Sequence, residues 1–205
     1  MVMSLDKLVE TYNLRINGVL HIGAHWGEEE PMYTKQGIKN MIFFEPIKSN
    51  YKMLLEMLPQ NDNIKTFNIA LGSTQCMIDM YVETWNKGQS CSPLEPKLHL
   101  TQYPHIKFTS KETVPVFRLD DIEFDRSKYN MINIDVQGYE MEVFKGAEAT
   151  LNTIDIVYSE VNRDEVYEGC AKVWEIDAFL GEYGFYRADT DWIGKTWGDA
   201  LYLKR

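Results

Sequence analysis

The chain has 205 residues, 44% hydrophobic and 25% charged, the balance of an ordinary globular protein able to bury one substantial core. Its formal net charge of −10 argues against nucleic acid or an anionic membrane surface as a partner, because both demand clusters of Lys and Arg. Cys76, Cys91 and Cys170 make no C-x-x-C pair, so neither a disulfide framework nor a zinc site is indicated. No signal-peptide core opens the chain and no apolar run approaches a membrane span, so a cytoplasmic protein is expected.

Leu5, Leu8, Val9 and Tyr12 recur at helical spacing and predict a helical segment within residues 1–17, ended by Asn17-Gly18. Residues 19–30, VLHIGAHWGEEE, read as a buried strand, a tight turn through Gly23, Ala24 and Gly27, and the start of a helix over 28–35. Such a turn presents backbone N–H groups to a small ligand. The spacing Gly23-x-x-x-Gly27 is not that of a dinucleotide fingerprint, and Glu28, Glu29 and Glu30 stand where a pyrophosphate would be repelled. S-adenosylmethionine, with a sulfonium and an ammonium against one carboxylate, suits an acidic turn better. The alternative is an ordinary turn whose acids offset the helix dipole.

A second strand over 41–44 ends in Glu45-Pro46, about 20 residues beyond the turn, where an acidic side chain can accept hydrogen bonds from both hydroxyls of an adenosine ribose. Ser49 caps the next helix, which Pro59 ends. Residues 64–71 form a third strand whose small tip, Ala70-Leu71-Gly72, lets the backbone approach a flat base. Residues 77–82 suggest a hairpin arm. From 83 to 113 periodicity is lost among Gly88, Pro93, Pro96 and Pro104, giving a substrate-side loop or lid. Strands follow over 114–119, 131–136 and 154–158, with a helix over 139–151 between the last two. The last strand delivers Glu160 and Asn162 to its carboxyl end. A further helix leads to two terminal strands, over 185–188 and 200–203, with an antiparallel edge expected there. The alternation predicts one doubly wound α/β domain over 1–205.

Several segments, in order from about residue 19 to the C-terminus, resemble FkbM-type S-adenosylmethionine-dependent methyltransferases: VLHIGAHWG, FFEP, NIALGS, RLDDI and INIDVQGYEMEVFKGA, with NKGQSCS a weaker match. The resemblance implies a Rossmann-like class I methyltransferase fold, a seven-stranded, mostly parallel sheet whose last strand is antiparallel. It implies O-methylation of a hydroxyl on a sugar, glycan or related small molecule. His21, Gly23, Ala24, Gly27, Glu45, Pro46, Ala70, Leu71 and Asp135 are then the cofactor-binding candidates, and Ser90, Ser92 and Asn162 the substrate-binding ones. Family members usually carry Asp where this chain has His21; Glu28, Glu29 and Glu30 are offered as its compensation.

Methyl transfer to an alcohol requires removal of the acceptor's proton, and Asp135 and Glu160 are the candidate bases. Asp135 also suits cofactor positioning or turn capping, and Glu140 a helix-dipole role. Asp135, Glu160 and Asn162 together offer hard oxygen ligands to Mg²⁺. His99 and His105, in the loop, are substrate contacts or solvated side chains; Trp192 and Trp197 stack on a sugar or cover the sheet edge. Two other readings are carried: a non-catalytic S-adenosylmethionine- or glycan-binding protein, and an NAD-dependent oxidoreductase.

Overall fold

The computed structural model describes residues 3–205; positions 1–2 of the expected N-terminal segment lie outside it. The helices are α1 (Leu5–Tyr12), α2 (Glu30–Lys35), α3 (Lys48–Met57), α4 (Leu98–Gln102), α5 (Glu140–Lys145), α6 (Glu148–Leu151) and α7 (Val173–Glu182). The strands are β1 (Gly18–Ile22), β2 (Asn40–Phe44), β3 (Ile64–Phe67), β4 (Ala70–Leu71), β5 (Cys76–Glu83), β6 (Phe108–Phe117), β7 (Met131–Ile134), β8 (Ile156–Asn162), β9 (Phe185–Ile193) and β10 (Trp197–Lys204).

Seven strands form the central sheet, in the order β3-β2-β1-β7-β8-β10-β9. The first five pair in parallel, and β10 runs antiparallel to both β8 and β9. The run MIFF is apolar throughout, and VLHI and MINI are apolar but for the buried His21 and Asn133, because both faces of the sheet are covered. Leu20, Ile22, Ile132, Ile134 and Val157 pack on one side with residues of α5, α6 and α7. Val19, Met131, Ile156 and Tyr158 pack on the other with Leu5 and Leu8 of α1, Tyr33 of α2 and Leu54 of α3. Each such side chain contributes roughly 1.5–3 kcal/mol by leaving water.

Several boundaries depart from the sequence reading for identifiable reasons. Helix α1 stops at Tyr12 because Asn13 turns left-handed (φ 51°), well before Asn17-Gly18. Residues 28–29 belong to the turn before α2, and Ile47, not Ser49, holds the N-cap position of α3. The expected third strand breaks at Asn68, whose carboxamide donates to the carbonyls of Glu45 and Pro46 at 2.9 Å each. Beyond that break the chain enters a second sheet, β4-β6-β5. The hairpin arm 77–82 therefore pairs with β6, which starts at Phe108, inside the stretch read as loop. The helix expected over 139–151 is two, parted at Gly146, where a Cβ would lie 2.0 Å from the Gly72 carbonyl. The antiparallel strand is last in the chain but one in from the edge, covered by β9.

The RLDDI segment has a structural task. Asp120 accepts hydrogen bonds from the N–H groups of Ala149 (2.8 Å) and Thr150 (2.9 Å) and from the Thr150 hydroxyl (2.7 Å), so it caps α6 from a distance. No α-helix among the described residues is long and apolar enough to cross a membrane.

Candidate active site

Two adjoining cavities open at the carboxyl ends of the central strands, and Gly23, His25, Gln89, Asp135 and Gln137 line both. At the Gly23 turn β1 must clear the tip of β7: φ is +80°, and a Cβ would stand 1.9 Å from the Asp135 carbonyl oxygen. Only glycine combines that conformation with that approach.

The first cavity is largely apolar, walled by Ile47, Leu71, Ile78, Met80 and Tyr139, with Glu45 at the tip of β2 and Asp135 beyond β7 its acidic groups. The Glu45 carboxylate is 4% exposed and held by two backbone donors, His25 N–H at 2.8 Å and Ile47 N–H at 2.9 Å. Burial raises its pKa to about 7 against the restraint of those two bonds. Each oxygen keeps lone-pair capacity for a further donor. A loop folds over this cavity: His25 bridges the Glu28 carboxylate through Nδ1 and the Lys87 carbonyl through Nε2, both at 2.9 Å. Burial lowers the His25 pKa, but the Glu28 carboxylate and the Lys87 carbonyl outweigh it, and the net shift is upward.

The second cavity is polar and acidic, lined by Glu28, Glu29, Asp135, Glu160 and Asp199 together with His21, His99, Tyr103 and Trp197. Glu160 on β8 stands directly across from Asp199 on β10. The Gln137 carboxamide nitrogen donates to Asp135 Oδ1 at 2.7 Å and to Glu160 Oε2 at 3.2 Å. Carboxylate oxygens of Asp135, Glu140 and Glu160 all lie within 4.8 Å of one another. Burial and then the Asp199 and Glu29 charges push Asp135 up, and burial and then the Asp135, Glu140 and Asp199 charges push Glu160 well up; Glu140, raised by burial to about 7, is restrained by the N–H groups of Val136 and Gly138 at 3.1 Å each. Glu140 is thus the cap of its own turn as well as a member of the acid cluster.

His21 is buried in the sheet. The Tyr33 hydroxyl, which accepts from Asn133, donates to His21 Nδ1 at 3.2 Å, leaving Nε2–H facing Glu29 at 3.9 Å. Burial lowers its pKa against the pull of Glu29 and Glu28, which favours the uncharged ring. Of the three glutamates offered as compensation, Glu28 and Glu29 line the polar cavity, whereas Glu30 accepts from the Thr34 hydroxyl at 2.5 Å and lines neither cavity.

The other candidates divide clearly. Gly23, Glu45, Pro46, Ala70, Leu71 and Asp135 line the first cavity; His21, Gly23, Ala24, Ser90, Asp135 and Glu160 line the second. Gly27, Ser92 and Asn162 line neither. Gly27 (φ +77°) is required by packing, since a Cβ would meet Leu54 Cδ1 at 2.7 Å. The buried Ser92 hydroxyl donates to the Gln137 carbonyl at 2.8 Å. Asn162 is fully buried and neither end of its carboxamide has a hydrogen-bond partner. Sequence reasoning missed Asp199, Gln137 and Tyr167, and the His25 bridge. Asp199, the third residue of β10, lay just ahead of the strand expected over 200–203 and reaches the site only through its pairing with Glu160. His99 is buried against Tyr103, Phe108 and Tyr167 rather than solvated, whereas His105 is exposed. Trp197 borders the polar cavity, while Trp192 lies under the Arg163 guanidinium.

A parallel sheet closed by an antiparallel strand one in from the edge, with paired cavities at its carboxyl edge, defines a Rossmann-like protein of the class I methyltransferase fold. Solved structures agree on the fold. Magnesium protoporphyrin IX methyltransferase (ChlM) from Synechocystis PCC 6803, with bound SAM, superposes with a TM-score of 0.55 at 12% identity, over 98% of this chain and 76% of that one. Ribosomal protein L11 methylase from Lactobacillus delbrueckii subsp. bulgaricus gives 0.54 at 14% identity, over 96% and 75%. The methyltransferase FkbM domain model matches residues 21–186, and the chain belongs to that family. Among curated proteins, the 2-O-methyltransferase NoeI of Sinorhizobium fredii (strain NBRC 101917 / NGR234) is 28% identical over 161 residues, 74% of this chain; the chain spans 65% of that relative's length.

Proposed function

We propose that this chain is a cytoplasmic, single-domain O-methyltransferase that uses S-adenosylmethionine to methylate a hydroxyl of a sugar, glycan or related small molecule. The observation that carries the reading is the joining of the two cavities at Gly23 and Asp135: a buried carboxylate, Glu45, at the tip of β2 on one side and the Asp135–Glu160 acid pair on the other. The donor set fits the cofactor. Glu45 would take the ribose hydroxyls, the apolar wall would take the adenine, and Glu29 and Asp135 would attract the ammonium and sulfonium. No Lys or Arg lines either cavity among the described residues, which argues against the pyrophosphate of NAD and hence against the oxidoreductase reading.

When bound, S-adenosylmethionine supplies a methyl group on a positively charged sulfur, so the chain has to orient an acceptor oxygen and take its proton. Asp135 and Glu160 hold carboxylate oxygens where that proton can be received, and their raised pKa values make them better bases than solvated carboxylates. Carboxylates sharing a cavity lining with the aromatic side chains of Trp197 and Tyr103 suit a polyhydroxylated ring. The NoeI likeness favours an O-linked acceptor. A divalent cation among Asp135, Glu140 and Glu160 is a second reading, favoured by the approach of their oxygens within 4.8 Å, with Asn162 no longer the natural third ligand.

Incubation with radiolabelled S-adenosylmethionine and a panel of nucleotide sugars and glycans tests the proposal, with label expected in an acceptor. Binding of S-adenosylhomocysteine without transfer to any acceptor would favour the non-catalytic alternative. Thermal stabilisation by NAD alone would overturn the cofactor assignment.

A further inference from the structure

Gln137, at the tip of the central strand β7, is used by neither the cofactor nor the proton step as described so far, yet it is the most connected side chain between the two cavities. Its backbone is left-handed (φ 55°), a conformation that costs a non-glycine residue about 1 kcal/mol and persists where the surroundings enforce it. Here Ser92 Oγ donates to its carbonyl at 2.8 Å. The side chain so aimed spans three groups: Nε2 donates to Asp135 Oδ1 (2.7 Å) and Glu160 Oε2 (3.2 Å), and the Tyr167 hydroxyl lies 2.8 Å from Oε1. Tyr167 is fully buried and also reaches the Ser90 carbonyl at 2.9 Å, which ties the far end of the amide to the covering loop.

Resting on the methyl-transfer reading, we propose that Gln137 is the positioning residue of the transfer step, its carboxamide holding Asp135 and Glu160 together as one proton-accepting pair that works without a metal ion. Two carboxylates this close repel, and a bridging donor is needed to hold both near one acceptor oxygen. A divalent cation is one such bridge. A neutral NH₂ group with one hydrogen for each oxygen is another, and it occupies the space between Asp135 and Glu160 here. The carboxamide adds no charge to a cavity already lined by Glu28 and Glu29 from the glycine turn and Asp199 from β10, and backed by the buried Glu140 of α5 within 4.8 Å of the pair, with His21, His25 and His99 its only basic side chains among the described residues. In the step itself the acceptor O–H breaks and its proton passes to the pair. The O–CH₃ bond forms as the S–CH₃ bond breaks, and the sulfur keeps that electron pair as a neutral thioether.

The test substitutes Gln137→Met, close in shape and unable to donate, alongside Tyr167→Phe, which releases only the far end of the amide. Carboxyl ¹³C NMR titration needs no acceptor: in Gln137→Met, Asp135 and Glu160 are expected to titrate about one pH unit higher than in the wild type, with a smaller shift in the same direction for Tyr167→Phe. Where the wild type turns over, kcat of Gln137→Met should fall 10- to 100-fold, its acid limb should move up by about one unit, and KM for S-adenosylmethionine should change less than threefold. EDTA should leave wild-type kcat unchanged. Unaltered titration of both carboxyls in Gln137→Met, or strict dependence on added Mg²⁺, would overturn the proposal. If the wild type binds S-adenosylhomocysteine but methylates nothing, the methyl-transfer reading fails while the titration still decides whether Gln137 organises the pair. Should Gln137→Met not fold, an unchanged titration in Tyr167→Phe would overturn the proposal on its own.

Discussion

Replacing Glu45 by Gln keeps the side chain's shape and removes its charge. In the ligand-free protein the ionised form of Glu45 is costly: its pKa moves from an ordinary 4.5 to about 7, which at about 1.4 kcal/mol per tenfold change in proton affinity is roughly 3 kcal/mol. The folded state therefore binds a proton that the unfolded state has already released between those two pH values. The sign follows directly: this group's contribution to folding stability falls as pH rises from about 4.5 to about 7 and is flat above. Ribose hydroxyls donate to the ionised carboxylate, so cofactor binding below pH 7 must expel a proton, and affinity should fall by up to tenfold per unit from pH 7 to 5.5. Calorimetry with S-adenosylhomocysteine in two buffers of different ionisation heat measures both the affinity and the proton count. In Glu45→Gln that proton release should vanish, and affinity at pH 8 should drop by about 2–4 kcal/mol, some thirty- to several-hundredfold, through loss of charge-assisted bonds. Asp135, Glu140 and Glu160 titrate in both proteins, so the difference between the two isolates Glu45. A variant that binds within threefold of wild type at pH 8, or releases the same number of protons, would refute the assignment of Glu45 to the ribose.

Three further substitutions probe the scaffold and the cover. Gly23→Ala drives a Cβ toward the Asp135 carbonyl in a left-handed backbone and should cost at least about 3 kcal/mol in urea denaturation, separating β1 from the tip of β7. Asp120→Ala strips the remote cap from α6 and should cost about 1–3 kcal/mol, while S-adenosylhomocysteine affinity of the folded fraction stays unchanged in calorimetry. His25→Ala cuts both ring contacts but keeps the backbone N–H that serves Glu45. Stopped-flow displacement should then show S-adenosylhomocysteine leaving several-fold faster, and an unchanged rate would show that the loop is not held by that ring.

The strands of the central sheet were legible because burial on both faces leaves short, largely apolar runs such as VLHI, MIFF and MINI, whose length and flanking turn residues favour strand over helix. β6 was not, because FTSKETVPVF has one partly solvated face, carries Pro115 and finds its partner β5 some 30 residues upstream. The break between β3 and β4 was hidden for the opposite reason: IKTFNIAL is unbroken as a pattern, and only the contacts of Asn68 with Glu45 and Pro46 bend it. In the acid cluster, Asp135 and Glu160 announced themselves through their places at and near strand tips. Asp199 joins them through the pairing of β10 with β8, a contact between residues 39 positions apart in sequence that no local pattern encodes. Gly27 and Ser92 show the reverse side of local patterns: a glycine and a hydroxyl residue close to the site line neither cavity and make packing and loop-anchoring contacts.

The second sheet closes a long excursion of the chain at its base. Leu71 and Phe117, neighbours in the β4–β6 pair, bring the ends of residues 72–116 together, and the Gly72 N–H donates to the Phe117 carbonyl at 2.9 Å. Everything from the polar cavity's cover to α4 is thus an excursion closed at its base, and lengthening such an excursion costs only about 0.6 kcal/mol per doubling. Ile78, Met80, Gly88 and Gln89 of that excursion line the same cavity as Glu45, and its Lys87 carbonyl holds His25 of the glycine turn, so any change in its length or path reaches both cavities at once.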